Sequence, residues 1–362
     1  MAFVPPPYPY ERLDELKAVA DQLPGGCVDL SIGTPCDPAP VAVIAALSGS
    51  NSERGYPPSI GSADFRDAIA EWLHRRLHVE LAPDRVAACI GTKEFVGTVP
   101  QYLRLRTPER DTVLYPAISY PTYEMGATLA GCRAVPYRTL ADIGDADAER
   151  ALCLWVNSPV NPTGDLVDLE AAARWGRARH VPVLSDECYV EFTWEGSPRT
   201  ILESGSDGVL AVHSLSKRSN LAGVRVGLYA GDAELVHYLR EVRKHAGFMV
   251  PGPAQAAAVV AYADDEHVDA QRARYLHRLE RMREILHAGL DIDTPMPAGA
   301  FYLWAPAPGG DAWALAKRLA TEAGMLVSPG DFYGPDGAGH VRIALVQPDD
   351  RIELIGQRLG VI

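Results

Sequence analysis

A single lysine, Lys217, stands where an apolar run at 209–212 gives way to small and hydroxylated residues. Ser214, Ser216 and Ser219 lie beside it, and Arg225 follows eight positions on. A second apolar run, 224–230, comes next. Both runs read as short buried strands, which puts Lys217 just past the end of one of them. An amine held there half out of water falls below its free pKa of about 10.4, and a fraction of it is neutral. A neutral amine condenses with a carbonyl to a Schiff base. Hydroxyls and a fixed guanidinium suit a phosphate. An aldehyde that carries a phosphate is pyridoxal 5'-phosphate (PLP). On this stretch alone a solvated loop lysine is the simpler reading; the rest of the chain changes that.

Further candidates sit just past other predicted strands. Gly91-Thr92-Lys93 follows a strand at 86–90 and precedes a helical pattern from Glu94. Strand, glycine and helix start leave backbone N–H groups free for an anion. Tyr120 comes after a strand at 112–115, immediately before a proline that opens a helix. Asn161 lies in Asn157-Ser158-Pro159-Val160-Asn161-Pro162-Thr163-Gly164, a turn with little freedom that aims its amide at an oxyanion. Asp186 ends a strand at 181–185 with Tyr189 three residues on, placed to face a ligand or to cap the next turn. With Lys217, these fall on the carboxyl edge of a sheet, where ligands collect in such folds. Arg342 lies in a strand at 340–345 whose alternation puts Val341, Ile343 and Leu345 on one face and Arg342 on the other. A guanidinium between buried neighbours needs an anionic partner.

The elements that must position these residues alternate strand and helix from about 86 to 230, the pattern of an α/β fold with a largely parallel sheet covered on both faces. Beyond 230 helices dominate, at 233–245, 255–263 and 266–287, followed by a strand at 299–304, a helix at 311–323 and the Arg342 strand. Arg278, Arg281 and Arg283 on the long helix read as a solvated face. Upstream, the proline-rich segment 5–9 must be extended, and an extended arm of this kind packs on a neighbour or stays floppy. A helix at 10–23 follows, then a turn at Gly33-Thr34-Pro35. Tyr56-Pro57-Pro58-Ser59-Ile60-Gly61 is a rigid loop before a helix that Ser62 caps, with Phe65, Ile69, Trp72, Leu73 and Leu77 as its core stripe. Tyr56 by itself reads as a surface or packing tyrosine.

A formal net charge of -13 argues against nucleic-acid binding. No apolar run approaches the length of a membrane span. The first residues, Met1-Ala2-Phe3-Val4, have neither a basic segment nor a long apolar one, so a cytoplasmic chain without a secretory signal is expected. The six cysteines are scattered, with no C-x-x-C, and read as free thiols. His74 and His78 have the spacing of a ligand pair but no third ligand nearby, so no metal is expected.

Taken in order, Tyr56, Gly91-Thr92-Lys93, Tyr120, Asn161-Pro162-Thr163-Gly164, Asp186-x-x-Tyr189, Ser214-x-Ser216-Lys217, Arg225 and Arg342 resemble the class I/II aminotransferases, PLP enzymes of fold type I, over nearly the whole chain. Ile32-Gly33-Thr34-Pro35 and the stretches 56–61 and 157–164 look most like actinobacterial N-succinyldiaminopimelate aminotransferases. The resemblance implies a PLP-dependent transferase fold: an arm and part of a small domain at 1–45, a large PLP-binding domain with a mostly parallel sheet between helices at 46–245, and a smaller α+β domain at 246–362. It implies that Lys217 carries the cofactor and then shuttles a proton, and that Asp186 pairs with the pyridinium nitrogen. Asn161 and Tyr189 would bond the ring oxygen, and Tyr120 would stack on the ring. Gly91, Thr92, Lys93, Ser214, Ser216 and Arg225 would surround the phosphate, with the Lys93 ammonium reaching a substrate acid instead. Arg342 would clamp the substrate α-carboxylate beside Gly33. Tyr56 would reach the phosphate in the other subunit of a homodimer. The implied reaction moves an amino group from an amino acid, by family habit glutamate, to a 2-oxo acid or semialdehyde such as N-succinyl-2-amino-6-oxopimelate. A PLP-dependent β- or γ-lyase, or another amino-acid specificity, stays open. A ligand-sensing regulator on this fold would carry a basic helix-turn-helix ahead of the arm; with the arm at residue 1 that class is not expected.

Overall fold

Short apolar segments leave water by pairing edge to edge, and the chain does this in a computed structural model that describes residues 3–361. Strand β1 (Val28–Asp29) is a two-residue stub. The next seven strands make one sheet: β2 (Val86–Cys89), β3 (Thr112–Pro116), β4 (Arg133–Tyr137), β5 (Ala151–Asn157), β6 (Val183–Asp186), β7 (Val209–Ser214) and β8 (Gly227–Gly231). Their order across the sheet is β2-β8-β7-β6-β5-β3-β4. The central strands β5, β6 and β7 are buried at every residue, which is why they read as continuous apolar runs. From β7 to β4 every pairing is parallel, while β8 runs antiparallel to both neighbours. The segment between β7 and β8 explains the exception. Its one α-helix, Leu215–Arg218, has four residues and spans only about 6 Å, too little to carry the chain back along a strand.

Side-chain alternation splits the sheet's residues between two cores. Val86, Ala88, Leu154 and Ala211 face a cluster with Trp72 and Leu73 of the helix Ala63–Leu77 and with Ala257 and Ala261 of the helix Gly252–Ala263. Ala87, Cys89, Trp155 and Val212 face the other side, against Phe95 and Val99 of the helix Thr92–Arg106 and Leu239 of the helix Ala233–His245. The sheet is thus covered on both faces, as the alternation of elements predicts. Fully burying a leucine or phenylalanine is worth about 1.5–3 kcal/mol, and both layers are built from such residues.

A separate core gathers Val28 and Leu30 with Leu279, Met282 and Leu286 of the helix Glu266–Leu290 and with Leu315 and Leu319 of the helix Ala312–Ala323. Around it lie β9 (Tyr302–Pro306), β10 (Met325–Leu326), β11 (Ser328–Pro329) and β12 (His340–Ala344). β1 pairs with β10, and β12 sits between β11 and β9. Val341, Ile343 and Leu345 point into this core, and Arg342 points the opposite way.

The long helix corrects one expectation. Arg278 is not solvated: its side chain is 2% exposed. Its Nη atoms donate to Asp37 at 2.6 and 2.8 Å, and its Nε donates to Asp349 at 2.6 Å. Arg281 pairs with Glu353, and Arg283 donates to the Thr294 carbonyl. A charge pattern along one helix cannot reveal a carboxylate 241 residues away. Among the described residues no helix is long and apolar enough to cross a membrane, and no cluster of metal-ligating side chains forms. The six cysteines are free.

Candidate active site

The register brings the ends of five strands to one edge. Cys89 and Ser214 both lie opposite Gly227, and Asn157 lies opposite Asp186. Ser214 caps the four-residue helix after β7, its Oγ accepting from the Ser216 N–H at 2.9 Å. That tight turn delivers Lys217 into a cavity of about 440 Å³. Its amine is enclosed and donates to the Gly33 carbonyl. Burial, followed by repulsion from Arg342 and Arg225, lowers its pKa to about 8.

Asp186 faces the same cavity. Its Oδ2 accepts from the Tyr123 hydroxyl at 3.0 Å and its Oδ1 from the Cys188 N–H at 3.3 Å. Burial raises its pKa, and the hydrogen bonds from Cys188 and Tyr123 oppose that rise. Its hydrogen bonds within the described residues come from neutral donors, so an enclosed carboxylate faces the cavity without a cation bonded to it.

Arg225 adopts φ 60°, a conformation that side chains rarely take and that marks functional sites. Its Nη1 donates to the Ala222 carbonyl at 2.8 Å and its Nη2 reaches the Ile90 carbonyl at 3.4 Å. Its guanidinium lies over Gly91, where an added Cβ would come 2.3 Å from Nη2. Gly91 itself has φ 73° and opens the helix Thr92–Arg106. Ser214, Ser216 and Thr92 line the cavity with Arg225. This is a built anion cradle: a helix start, hydroxyls and a guanidinium with neutral partners.

Arg342 is wholly enclosed by neutral groups. Its Nη1 donates to Asn161 Oδ1 at 2.7 Å; its Nη2 donates to the Ser31 carbonyl at 2.5 Å and reaches the Tyr10 hydroxyl at 3.4 Å. Its plane lies over the Tyr302 and Tyr333 rings at 4.3 and 4.8 Å. Its Nε has no partner among the described residues. A guanidinium so placed is a receptor for a carboxylate. Asn161 is itself held by Asn157, whose Oδ1 accepts from the Asn161 N–H at 2.7 Å while its Nδ2 bonds the Asp186 carbonyl. Tyr189 and Tyr302 share a hydroxyl contact of 2.7 Å, and burial keeps the Tyr189 pKa well above its ordinary value.

Tyr120 and Lys93 also line the cavity, and the Lys93 ammonium donates to the Tyr8 hydroxyl at 3.1 Å. Tyr56 does not line it: its side chain stands 97% exposed on the loop before the helix Ala63–Leu77. The sequence reading missed Tyr8, Tyr10, Tyr123, Cys188 and Tyr302, all of which line the cavity. Tyr123 follows Tyr120 by three residues across a helix start, a spacing that puts both on one side and could have flagged it. A second cavity, about 590 Å³, opens at the opposite edge of the sheet near Leu152, Pro182 and Gly208. Its arginines are committed, Arg106 to Glu234, Arg110 to the Ala151 and His180 carbonyls and Arg177 to the Gly205 and Asp207 carbonyls. The smaller cavity holds Lys93, Lys217, Arg225 and Arg342 against the single carboxylate of Asp186.

A family model for aminotransferase class I and II matches residues 26–357. The chain is a class I/II aminotransferase. It is 41% identical over 362 residues to the 4-dedimethylamino-4-oxo-anhydrotetracycline transaminase of Streptomyces rimosus, covering 98% of this chain and 99% of that one. It is 33% identical to the LL-diaminopimelate aminotransferase of Aquifex aeolicus, with 98% and 96% covered. Among solved structures, the probable N-succinyldiaminopimelate aminotransferase of Thermus thermophilus superposes with a TM-score of 0.85 at 30% identity, over 98% of this chain and all of the other. The aminotransferase therefore has fold type I and depends on PLP. The cavity fits that cofactor on its own terms: an enclosed amine, an anion cradle around Arg225, and a buried carboxylate bonded only by neutral donors.

Proposed function

We propose that this cavity transfers an amino group from an amino acid, glutamate in the first instance, to an oxo acid or semialdehyde that carries a second acidic group. N-succinyl-2-amino-6-oxopimelate is the acceptor that we favour. The observation that carries the reading is the joint presence of a buried amine at about pKa 8 and a buried guanidinium with an unpaired Nε in one cavity. The relatives named for diaminopimelate chemistry support the substrate class.

When bound, PLP supplies an aldehyde for the amine and a cationic ring that draws electrons from the substrate Cα. Asp186 holds the ring nitrogen protonated, and Tyr123 fixes the carboxylate that does so. Arg225, Ser214, Ser216 and the N–H groups past Gly91 hold the phosphate. Tyr120 covers the ring, and Asn161 and Tyr189 donate to its oxygen. The high pKa of Tyr189 keeps that hydroxyl protonated. Arg342 binds the α-carboxylate, close to Gly33, which orients the Cα–H bond. Lys217, neutral in appreciable fraction near its own pKa, would take the proton from the substrate Cα and deliver it to C4′, the cofactor's former aldehyde carbon. Lys93 receives the second acid group of the substrate. The enzyme works as a cytoplasmic homodimer in which Tyr56 serves the partner's site; its exposure leaves the ring available for that role. We divide the chain into the arm and small-domain part at 1–45, the large domain at 46–245 and the small domain at 246–362.

A second specificity has an observation behind it. The Streptomyces relative, matched at 41% identity along its length, is named for a transaminase that acts on an oxo-anhydrotetracycline. The deciding experiment incubates the holoenzyme with glutamate and a panel of oxo compounds, and follows 2-oxoglutarate. Turnover of N-succinyl-2-amino-6-oxopimelate above simple oxo acids supports the reading. Preference for a polycyclic ketone replaces it with the second one. With an amino acid that carries a leaving group on Cβ in place of glutamate, release of ammonia and pyruvate without an oxo-acid acceptor makes the enzyme a lyase.

A further inference from the structure

Strand β9 brings Tyr302 into the cavity. Tyr302 lies opposite Ala344 in the β9–β12 ladder, so its side chain leaves the same face as Arg342, two residues along. The Arg342 guanidinium lies 4.3 Å from the centre of its ring. Its hydroxyl packs on Gly33, where no Cβ would fit, and the Gly33 carbonyl accepts from Lys217. The same hydroxyl meets that of Tyr189 at 2.7 Å, with the two rings edge to face at 5.5 Å. Tyr302 is 1% exposed, so water does not compete for this contact.

Two phenols at this distance have few choices. Burial holds both above the ordinary phenol pKa, Tyr302 at about 12, so each keeps its proton. Two O–H groups then share one contact, and one of them is left to donate elsewhere. Arg342 decides which. A cation over the Tyr302 ring draws charge from it and makes its O–H the better donor, the direction in which that guanidinium moves the Tyr302 pKa. Tyr10 and Tyr120, the other titratable groups acting on Tyr302, are neutral phenols and work against that pull. The Tyr189 O–H is then the free one. We propose that Tyr302 is a positioning residue for the amino transfer: it donates to the Tyr189 oxygen, and so both aims the Tyr189 O–H at the cofactor's ring oxygen and strengthens it as a donor. The inference rests on the reading of Tyr189 as a donor to that oxygen and adds the group that sets its direction.

The test uses pyridoxamine 5'-phosphate, which binds without a bond to Lys217, beside its 3-deoxy analogue, which lacks the ring oxygen. The Kd of each for the cofactor-free protein is measured by titration calorimetry in wild type, Tyr302→Phe and Tyr189→Phe. The net worth of one hydrogen bond predicts that Tyr302→Phe weakens the first ligand about fivefold and leaves the analogue unchanged. Replacing Tyr302 with 3-fluorotyrosine keeps the shape, makes the hydroxyl more acidic and should tighten the first ligand alone; this variant decides the matter if Tyr302→Phe does not fold. In the PLP-loaded enzyme, the pH at which the cofactor's absorbance changes should move up in Tyr302→Phe, because a ring oxygen with a weaker donor holds the neighbouring proton more firmly. Equal weakening of both ligands makes Tyr302 a packing residue and overturns the proposal, as does an unchanged Kd for both. Tyr189→Phe that binds both ligands as wild type does removes the ring-oxygen reading and the proposal with it. Failure of the transamination reading looks different: no acceptor turns over, whereas these affinities are read without turnover.

Discussion

Lys217 gains its reactivity from surroundings that penalise charge. Burial comes first among the causes, and the neighbouring guanidinium groups of Arg342 and Arg225 add to it. A lysine whose folded pKa lies below its free value carries its proton below about 8 and loses it above. Covalent capture of PLP by the cofactor-free protein, trapped with borohydride and quantified by mass, should therefore rise through about pH 8. Arg342→Met removes a nearby positive charge, so the midpoint should move up; a midpoint that stays or falls removes Arg342 from the account. The partner group invites a second measurement. Tyr123→Phe deletes one of the donors to Asp186, leaving burial to raise the carboxyl pKa further. A hydrogen bond to a charged group predicts roughly tenfold weaker PLP binding, read from absorbance titration. Lys217, Asp186, Asn161 and Arg342 could be found from sequence because each sits where a strand or a rigid turn fixes its direction. Tyr8 could not, because its partner Lys93 lies 85 residues away; for Tyr123 the sequence offered only its spacing from Tyr120, since its partner Asp186 lies 63 residues away.

At the scale of elements, the anion cradle depends on a close approach between the start of the helix Thr92–Arg106 and the Arg225 side chain. Gly91 has a positive φ and no room for a Cβ against Arg225. Gly91→Ala should cost about 1–3 kcal/mol in the chemical denaturation of the cofactor-free protein, through backbone strain. It should also displace Arg225 and weaken PLP binding; unchanged affinity would show that the guanidinium does not hold the phosphate. The periodicity of the chain was a good guide to such elements, since buried strands and helix stripes are written in consecutive residues. Two things escaped it. The antiparallel course of β8 follows from how short the Lys217 helix is, a property of a loop rather than of a strand. The burial of Arg278 depends on Asp37, far off in sequence. Arg278→Leu leaves the half-buried Asp37 without its bidentate partner and should destabilise the fold by about 3 kcal/mol on the same assay.

The whole molecule sets a negatively charged body around a cavity with four cationic side chains. The formal net charge is -13, while the cavity lining has Lys93, Lys217, Arg225 and Arg342 against Asp186. Such a reversal focuses potential on anionic ligands, and both PLP and dicarboxylates are anions. A site that depends on a second copy of the chain adds a stronger claim. Tyr56 stands almost fully exposed on the loop that follows the helix Val41–Gly49 in the chain, and that helix itself leaves Val41 and Ile44 open. In the proposed dimer, each site would take Lys217 from its own chain and Tyr56 from the partner. Two defective variants must then repair each other. Lys217→Ala retains a sound Tyr56, and Tyr56→Ala retains a sound Lys217, so a mixed dimer holds one site with both residues intact and one with neither. Random mixing makes half of the dimers mixed, which predicts recovery of about a quarter of wild-type turnover after co-refolding, from two proteins that are each nearly inactive. Mixed dimers can be isolated with two affinity tags, and each should then show about half the wild-type activity per dimer. If the isolated mixed dimers are no more active than the variants alone, Tyr56 does not serve the partner's site.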